Sequence, residues 1–521
     1  LGNIRNESQS CESSFEFQSF LGSVCWNEWH YKRLPCSIEQ VKKYISDPMF
    51  YNRKCRDLAW WAYNSNGVIR NTVDYMCAIP TLDRIVCSKN KSCGKYRENK
   101  AKFVSVLDMI KDKEIVRDSI LRNCNDAVAF YYFVSEETGD NTKTLFDSDV
   151  DGITELNSRN GFNCSLFSLP VDYCRIIGIR NSSYQIAFDL SYFNQFDGNG
   201  KAKKIRIYPK EIREAWKNYN KSSGTGQWVI LDNNKTIVTK VGSMRSEPWG
   251  RPIALAAFDN IIYSDYFTDT KRHLLDEINN KLVYQEFPEG KEKGTSALTE
   301  TQQKNQHDTV KMALNNRKEG QRALAFVSLA AGSKLNTLDV DTNIFDEKNE
   351  AKLRDDIAAD VGFAASLLNG SSQGSYSTQQ TNLELVSAEL FSWIKQFQAE
   401  LNKVINANVI KTENCYVEVD YLPVTFANKD KVVKYAKELY MSGKGSLQAW
   451  ISSCGFNFDS YVAMMDEELA DDYENKYPVH KTSFTMTGDE RAGRPNEENP
   501  KNDNTIKSQA SGGNNQPKPS D

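Results

Sequence analysis

The sequence predicts an α+β, multi-domain protein organised around long helices. Three observations carry that class. Two stretches, 343–368 and 379–405, repeat apolar residues at steps of three and four, the period of a helix face. Other stretches, such as 127–134 and 184–190, have the continuous or alternating apolar pattern of strands. The 521 residues are 40% hydrophobic and 26% charged, an ordinary globular composition with room for about three to four domains.

In the first long stretch Leu353, Ile357, Val361 and Leu368 share a face. The second carries Leu383, Val386, Leu390, Trp393, Ile394, Phe397, Leu401 and Val404 on one stripe, so a helix over 379–405 is about 40 Å long. Between them, Asn369, Gly370, Ser371, Ser372, Gln373, Gly374 and Ser375 include no apolar residue, and Tyr376 follows. A loop without a core of its own belongs outside the packed interior. About eight such residues folded as a hairpin reach about 12 Å, and small polar side chains can touch a phosphate backbone without reading bases.

Before these helices, residues 1–20 are polar. Helices are expected from Ser37 to Pro48, around Leu58 to Ala62, from Ile69 towards Pro80, over Phe103–Ile110 and over Ile115–Leu121, with a lysine-rich break at 88–100. Ala127–Val134 is a strand. Leu169–Ile179 and Tyr184–Phe193 form a hairpin about Asn181-Ser182-Ser183, and Trp228–Leu231 and Thr236–Val241 a second about Asp232-Asn233-Asn234. Ile212–Tyr219 is a short helix. Pro252 opens a helix to about Asn280. Residues 285–342 make a small unit with a helix near Thr299–Asn315 and strands at Ala323–Leu329 and Leu335–Val340. Cys415–Tyr421 is a strand, and helices over 428–441, 446–453 and 459–475 close the folded part. From about Thr482 the composition is that of a disordered tail.

The net charge of −4 and absence of a basic patch exclude a tight grip on nucleic acid. No apolar run reaches the roughly 18 residues of a membrane helix, so no membrane is expected. No secretory leader is visible, although the chain starts at Leu1. Twelve scattered cysteines without a CxxC pair read as free thiols in the core. Asn181 and Asn234 sit in glycosylation triplets that matter only for a secreted protein.

His30, His273, His307 and His480 are far apart and near no nucleophile motif, and no phosphate-binding P-loop occurs. Asp147, Asp149 and Asp151, with Gly152, match the start of a calcium loop, but Ser158 stands where the bidentate glutamate belongs. An acidic surface turn explains them better, and no metal or cofactor is expected. Asp259, Asp265, Asp269, Asp276 and Glu277 lie on the helix after Pro252. They form a solvated face or, turned inward in a ring, a wall that repels phosphates and lets a polyanion slide.

Four segments in order resemble the portal proteins of tailed bacteriophages. They are Asn52–Leu58 with Tyr63–Arg70; Leu169–Ile176; Asp355–Gly362 through Leu367–Gly370 and Ser375–Ser377; and Ser442–Ser446 with Gly455-Phe456 through Glu467-Glu468 to Ala492-Gly493-Arg494-Pro495. Phe363-Ala364-Ala365 stands where that family usually has a proline pair.

The resemblance implies a portal fold of wing (1–245 and 379–427), stem (249–284 and 343–368), clip (285–342), tunnel loop (369–378) and crown (428–481). It implies a ring of usually about twelve subunits at one capsid vertex, assembled in the host cytoplasm. The implied partners are double-stranded DNA, bound non-specifically, the major capsid protein, the terminase large subunit and a head–tail adaptor or neck protein. No enzymatic activity is implied. The rivals are another neck or baseplate protein and an enzyme acting on nucleic acid.

Overall fold

The computed structural model describes residues 35–89, 93–135, 164–196, 198–219, 224–279, 283–291, 296–318, 333–337, 347–369, 376–411 and 414–477. The strand expected at 323–329, the calcium-type loop at 147–158 and the tail from 482 lie outside these. The chain divides into two units, Leu1–Gly455 and Phe456–Asp521.

Helices α1 (Ile38–Ser46), α2 (Asn52–Ser65) and α3 (Gly67–Ala78) open the first unit. Ser37 and Gln40 form a reciprocal capping box on α1, and the Asn66 side chain accepts from the Val68 and Ile69 amides on α3. Strand β1 (Arg84–Ser88) follows, within a stretch whose pattern announced no strand. Then come α4 (Tyr96–Met109), α5 (Asp112–Asn125), β2 (Val128–Val134) and β3 (Ser165–Ser168).

The hairpin β4 (Cys174–Arg180) and β5 (Ser183–Asp189) turns at Asn181 and Ser182, both at positive φ, as a two-residue hairpin turn favours. Next are α6 (Gly198–Ile207), α7 (Lys210–Lys217), β6 (Trp228–Ile230) and β7 (Thr236–Lys240). The second expected hairpin does not pair with itself. β6 is the edge of sheet β4-β5-β6, whereas β7 joins sheet β3-β2-β7. Every residue of β7 is buried while Trp228 and Ile230 of β6 are exposed, so burial sends the two strands to different sheets.

Sheet β3-β2-β7 separates two cores. Ala129, Tyr131 and Phe133 of β2 face the larger core, and Val128, Phe130 and Tyr132 face the smaller. That two-sided burial explains why β2 reads as an unbroken apolar run. In the smaller core Phe193 meets Tyr208 at 4.9 Å and Trp216 at 5.3 Å. Buried Arg56 on α2 joins the two cores: it pairs with Asp172 and lies 4.9 Å from the centre of the Trp249 ring. Gly250 passes so close to the Ala127 and Val241 carbonyls that no side chain fits.

Pro252 begins a tight 3-10 turn, Ile253–Ala257, and the long helix α8 (Phe258–Asn279) starts only after it. Strands β8 (Val283–Glu286) and β9 (Lys334–Thr337) pair antiparallel, and α9 (Glu300–Lys318) lies between them in sequence. The helix expected over 343–368 is broken into α10 (Glu347–Asp360) and α11 (Ala365–Asn369). Then α12 (Tyr376–Ile405) runs for 30 residues, about 45 Å, into a π turn at Asn406–Ile410. Its expected stripe is buried from Val386 to Val404, and Leu383 is half-buried.

Strand β10 (Val417–Tyr421) pairs with β1 along one edge. Its other edge faces three side-chain amides, Gln398 and Asn402 on α12 and Asn406 at the start of the π turn. Tyr421 N donates to Gln398 Oε1 at 2.9 Å. Asn402 exchanges bonds of 2.9 and 3.1 Å with Val419, and Asn406 bonds of 3.0 and 2.6 Å with Val417. The side chains stand in for a third strand and satisfy the exposed edge. Beside this pair, Cys93 and Cys415 form a disulfide across 322 residues, with Cα atoms 5.9 Å apart. This corrects the expectation that every cysteine is a free thiol; only the β1–β10 pairing brings the two together.

The first unit ends with α13 (Lys429–Met441) and α14 (Leu447–Ser453). In the second, α15 (Phe458–Ala470) and α16 (Tyr473–Lys476) replace a single expected helix. The chain breaks between them, with Asp472 at φ +55.

Candidate channel-lining site

The described residues expected to face a channel belong to α8 and the elements that flank the polar loop, α10, α11 and the start of α12. Helices α8 and α10 run antiparallel, held by two polar rungs. Asn260 Nδ2 donates to Asp360 Oδ2 at 2.6 Å, and Lys271 Nζ to Glu350 Oε2 at 2.8 Å. Arg354 also bonds Glu350, at 2.6 Å. The hydrogen bond from Lys271 is the main cause that holds the Glu350 carboxyl below its ordinary range. Between the rungs Ile261, Leu353 and Ile357 are buried.

The break after α10 is a glycine-ended cap. Gly362 sits at φ +78, its N–H bonds Ala359 O at 3.0 Å, and the Phe363 N–H bonds Ala358 O at 2.9 Å. Phe363 is buried as the apolar residue that closes this motif. A left-handed glycine and a buried phenylalanine thus end the helix where no proline stands. Asn382 of α12 ties the break in place: its Oδ1 accepts from Ala364 N at 2.9 Å and its Nδ2 donates to Gly362 O at 3.0 Å.

The polar loop itself falls between described elements. Asn369 ends α11 and Tyr376 begins α12; Gly370, Ser371, Ser372, Gln373, Gly374 and Ser375 lie outside the described residues.

On α8, Asp259 and Asp269 are exposed and Asp265 is half-buried. At about 100° per residue Asp265 and Asp269 share one side, and Asp259 lies roughly a quarter-turn or more round from them. Asp276 and Glu277 belong to α8, but their side chains lie outside the described ones. The outer face is also aromatic, with Tyr263 54% exposed and Tyr266 68% exposed. The spacing puts Tyr266 on the apolar side of this helix with Phe258 and Ile262 and passes over Tyr263; the structure exposes both tyrosines.

Among the described residues no group of three His, Cys, Asp or Glu is placed to hold a metal. Asp147, Asp149 and Asp151 lie outside them. Asp126, pushed up to about 6 by burial, accepts from Trp60 Nε1 at 2.7 Å. It does not line the cleft of about 520 Å³ between β2 and α7, whose walls include Lys210, Arg213 and Glu214.

No family model matches the chain. The SPbeta prophage-derived uncharacterized protein YonE of Bacillus subtilis (strain 168) is 24% identical over 510 residues, spanning 92% of this chain and 90% of that protein. Among solved structures, the virion of the native gene transfer agent (GTA) particle matches with a TM-score of 0.44 and 10% identity, over 81% of this chain and 99% of that one. The neck of the native GTA particle computed with C12 symmetry gives 0.43 and 11%, over 82% and 96%. The HK97 family phage portal protein from Corynebacterium diphtheriae gives 0.28 and 10%, over 70% and 94%. The chain is similar to each of these over most of its length, and none of the scores is high enough to fix a common fold.

Proposed function

We propose that this chain is a portal protein of a tailed bacteriophage, a non-enzymatic subunit of a ring at one capsid vertex. Double-stranded DNA passes through the ring during packaging and ejection. One observation carries the reading: the order of parts from α8 to α12. A helix pair, a glycine-ended break, a short helix, a polar segment and a 30-residue helix follow one another. The portal-like sequence segments of stem, tunnel loop and wing occur in that same order. The prophage origin in the name of the Bacillus relative agrees with a phage-encoded chain.

In this reading 249–284 and 343–368 form the stem, 369–378 the tunnel loop, 285–342 the clip, 428–481 the crown, and 1–245 with 379–427 the wing. Asp259 and Asp269 give the bore a sign that repels phosphate, so DNA slides without adhering. The clip docks the terminase large subunit during packaging and a head–tail adaptor or neck protein afterwards, and the major capsid protein surrounds the ring.

Native mass measurement and an image along the symmetry axis test this. A holed ring of about twelve times 59.3 kDa is expected. A stable monomer, or a disc without a hole, overturns it. A holed ring located in the virion away from the packaging vertex assigns the chain to the neck instead.

A further inference from the structure

Cys93 and Cys415 lie at one end of the β1–β10 pair, where the Lys89 N–H also bonds Tyr416 O at 3.1 Å. A bond across 322 residues forms correctly only after the fold has brought its ends together. It joins the segment before α4 to the segment that links the π turn after α12 to β10, and α4 packs against that turn. The eight other described cysteines are free thiols. Such a set suits a chain made in a reducing compartment, where a disulfide does not persist.

We propose that the Cys93–Cys415 bond is a redox-set clamp on the C-terminal end of α12, open while the chain folds and closed when the finished protein meets an oxidant. The oxidant is a low-molecular-weight disulfide. The thiolate of one cysteine attacks a sulfur of that molecule and expels one thiolate, which takes up a proton. The second cysteine then attacks the mixed disulfide and expels the other half. Two protein thiols and one small disulfide become one protein disulfide and two small thiols, a balanced two-electron exchange.

Several of the other described thiols are poorly placed to attack the clamp. Cys55, Cys124, Cys164 and Cys174 are buried. Cys87 is exposed on β1, but partial burial, then Glu418 and Asp420, push its thiol up and disfavour the attacking thiolate. Closing the clamp fixes one end of α12, about 45 Å from the end that begins at Tyr376. That this far end borders a channel rests on the portal reading; the clamp does not.

The test uses the full chain, purified with reductant and divided between reduced and oxidised glutathione. Thiols are trapped by alkylation, peptides are mapped, and hydrogen exchange is followed at 406–410 and 417–421. The expected result in the oxidised sample is one linked Cys93–Cys415 peptide, with exchange in both segments slower by about tenfold. Cys93→Ser should exchange like the reduced protein in both buffers; if it does not fold, reduced wild type supplies the same comparison. Full alkylation of both cysteines in folded, oxidised protein overturns the proposal, and so does exchange that ignores the bond. Native mass of the same samples separates the two readings: linked peptides on a monomer strike the portal reading and leave the clamp standing.

Discussion

Asp126 shows how one residue links burial to pH. Burial raises its carboxyl to about 6, against the lowering influence of Arg56, Arg122 and the Trp60 hydrogen bond. The unfolded carboxyl ionises near its ordinary value of 3.8. Between the two values the folded state holds a proton that the unfolded state has lost, so this group makes stability fall as pH rises through that window. Asp126→Asn keeps an acceptor for Trp60 and removes the titration. Relative to wild type, the variant should gain about 2 kcal/mol between pH 4 and pH 6, measured by urea unfolding at each pH. A constant difference across that range contradicts the argument. Gly362 is the second decisive residue. Its neighbours Val361 and Leu368 continue the apolar spacing, which is why the sequence reads as one helix through it. Alanine meets open space there but must adopt φ +78. Gly362→Ala should therefore cost about 1 kcal/mol in thermal or denaturant unfolding.

Elements were legible where apolar spacing or turn residues marked them. The stripe of α12 and the turn of the β4–β5 hairpin fall where spacing and turn residues put them. The Thr236–Lys240 strand was legible as a strand, but its partner was not, because pairing depends on which core each face enters. The contact between α12 and β10 was invisible for another reason. Gln398, Asn402 and Asn406 look like polar residues on a solvated face, and only the position of β10 turns them into strand partners. Asn402→Leu leaves the buried Val419 N–H and C=O without their bonds. The expected cost is about 2–6 kcal/mol in urea unfolding, from about 1–3 for each orphaned group. Asn402→Asp retains an acceptor only and should rescue part of the loss.

For the whole molecule, the proposed portal role makes separable demands of assembly and conduction. Trp393 is 7% exposed within the large core, so Trp393→Ala should cost about 3–5 kcal/mol and lower the yield of assembled rings. An unchanged melting temperature contradicts the packing argument. Asp259 and Asp269 are exposed, so their reversal to lysine should leave folding and ring mass unchanged. DNA retention on the ring should then rise and weaken again with salt, as measured by filter binding across a salt series. Retention equal to wild type at low salt removes these residues from the bore.

The sequence by itself determined the α+β class, most helices, the apolar stripe of α12 and the polar break after α11, because local period and turn chemistry are written in neighbouring residues. The tertiary structure alone decided the two-core partition by β2, the separate sheets of β6 and β7, the amides that edge β10 and the Cys93–Cys415 bond. Each of these joins residues distant in the chain, and spacing along a sequence carries no record of which distant surfaces burial brings together.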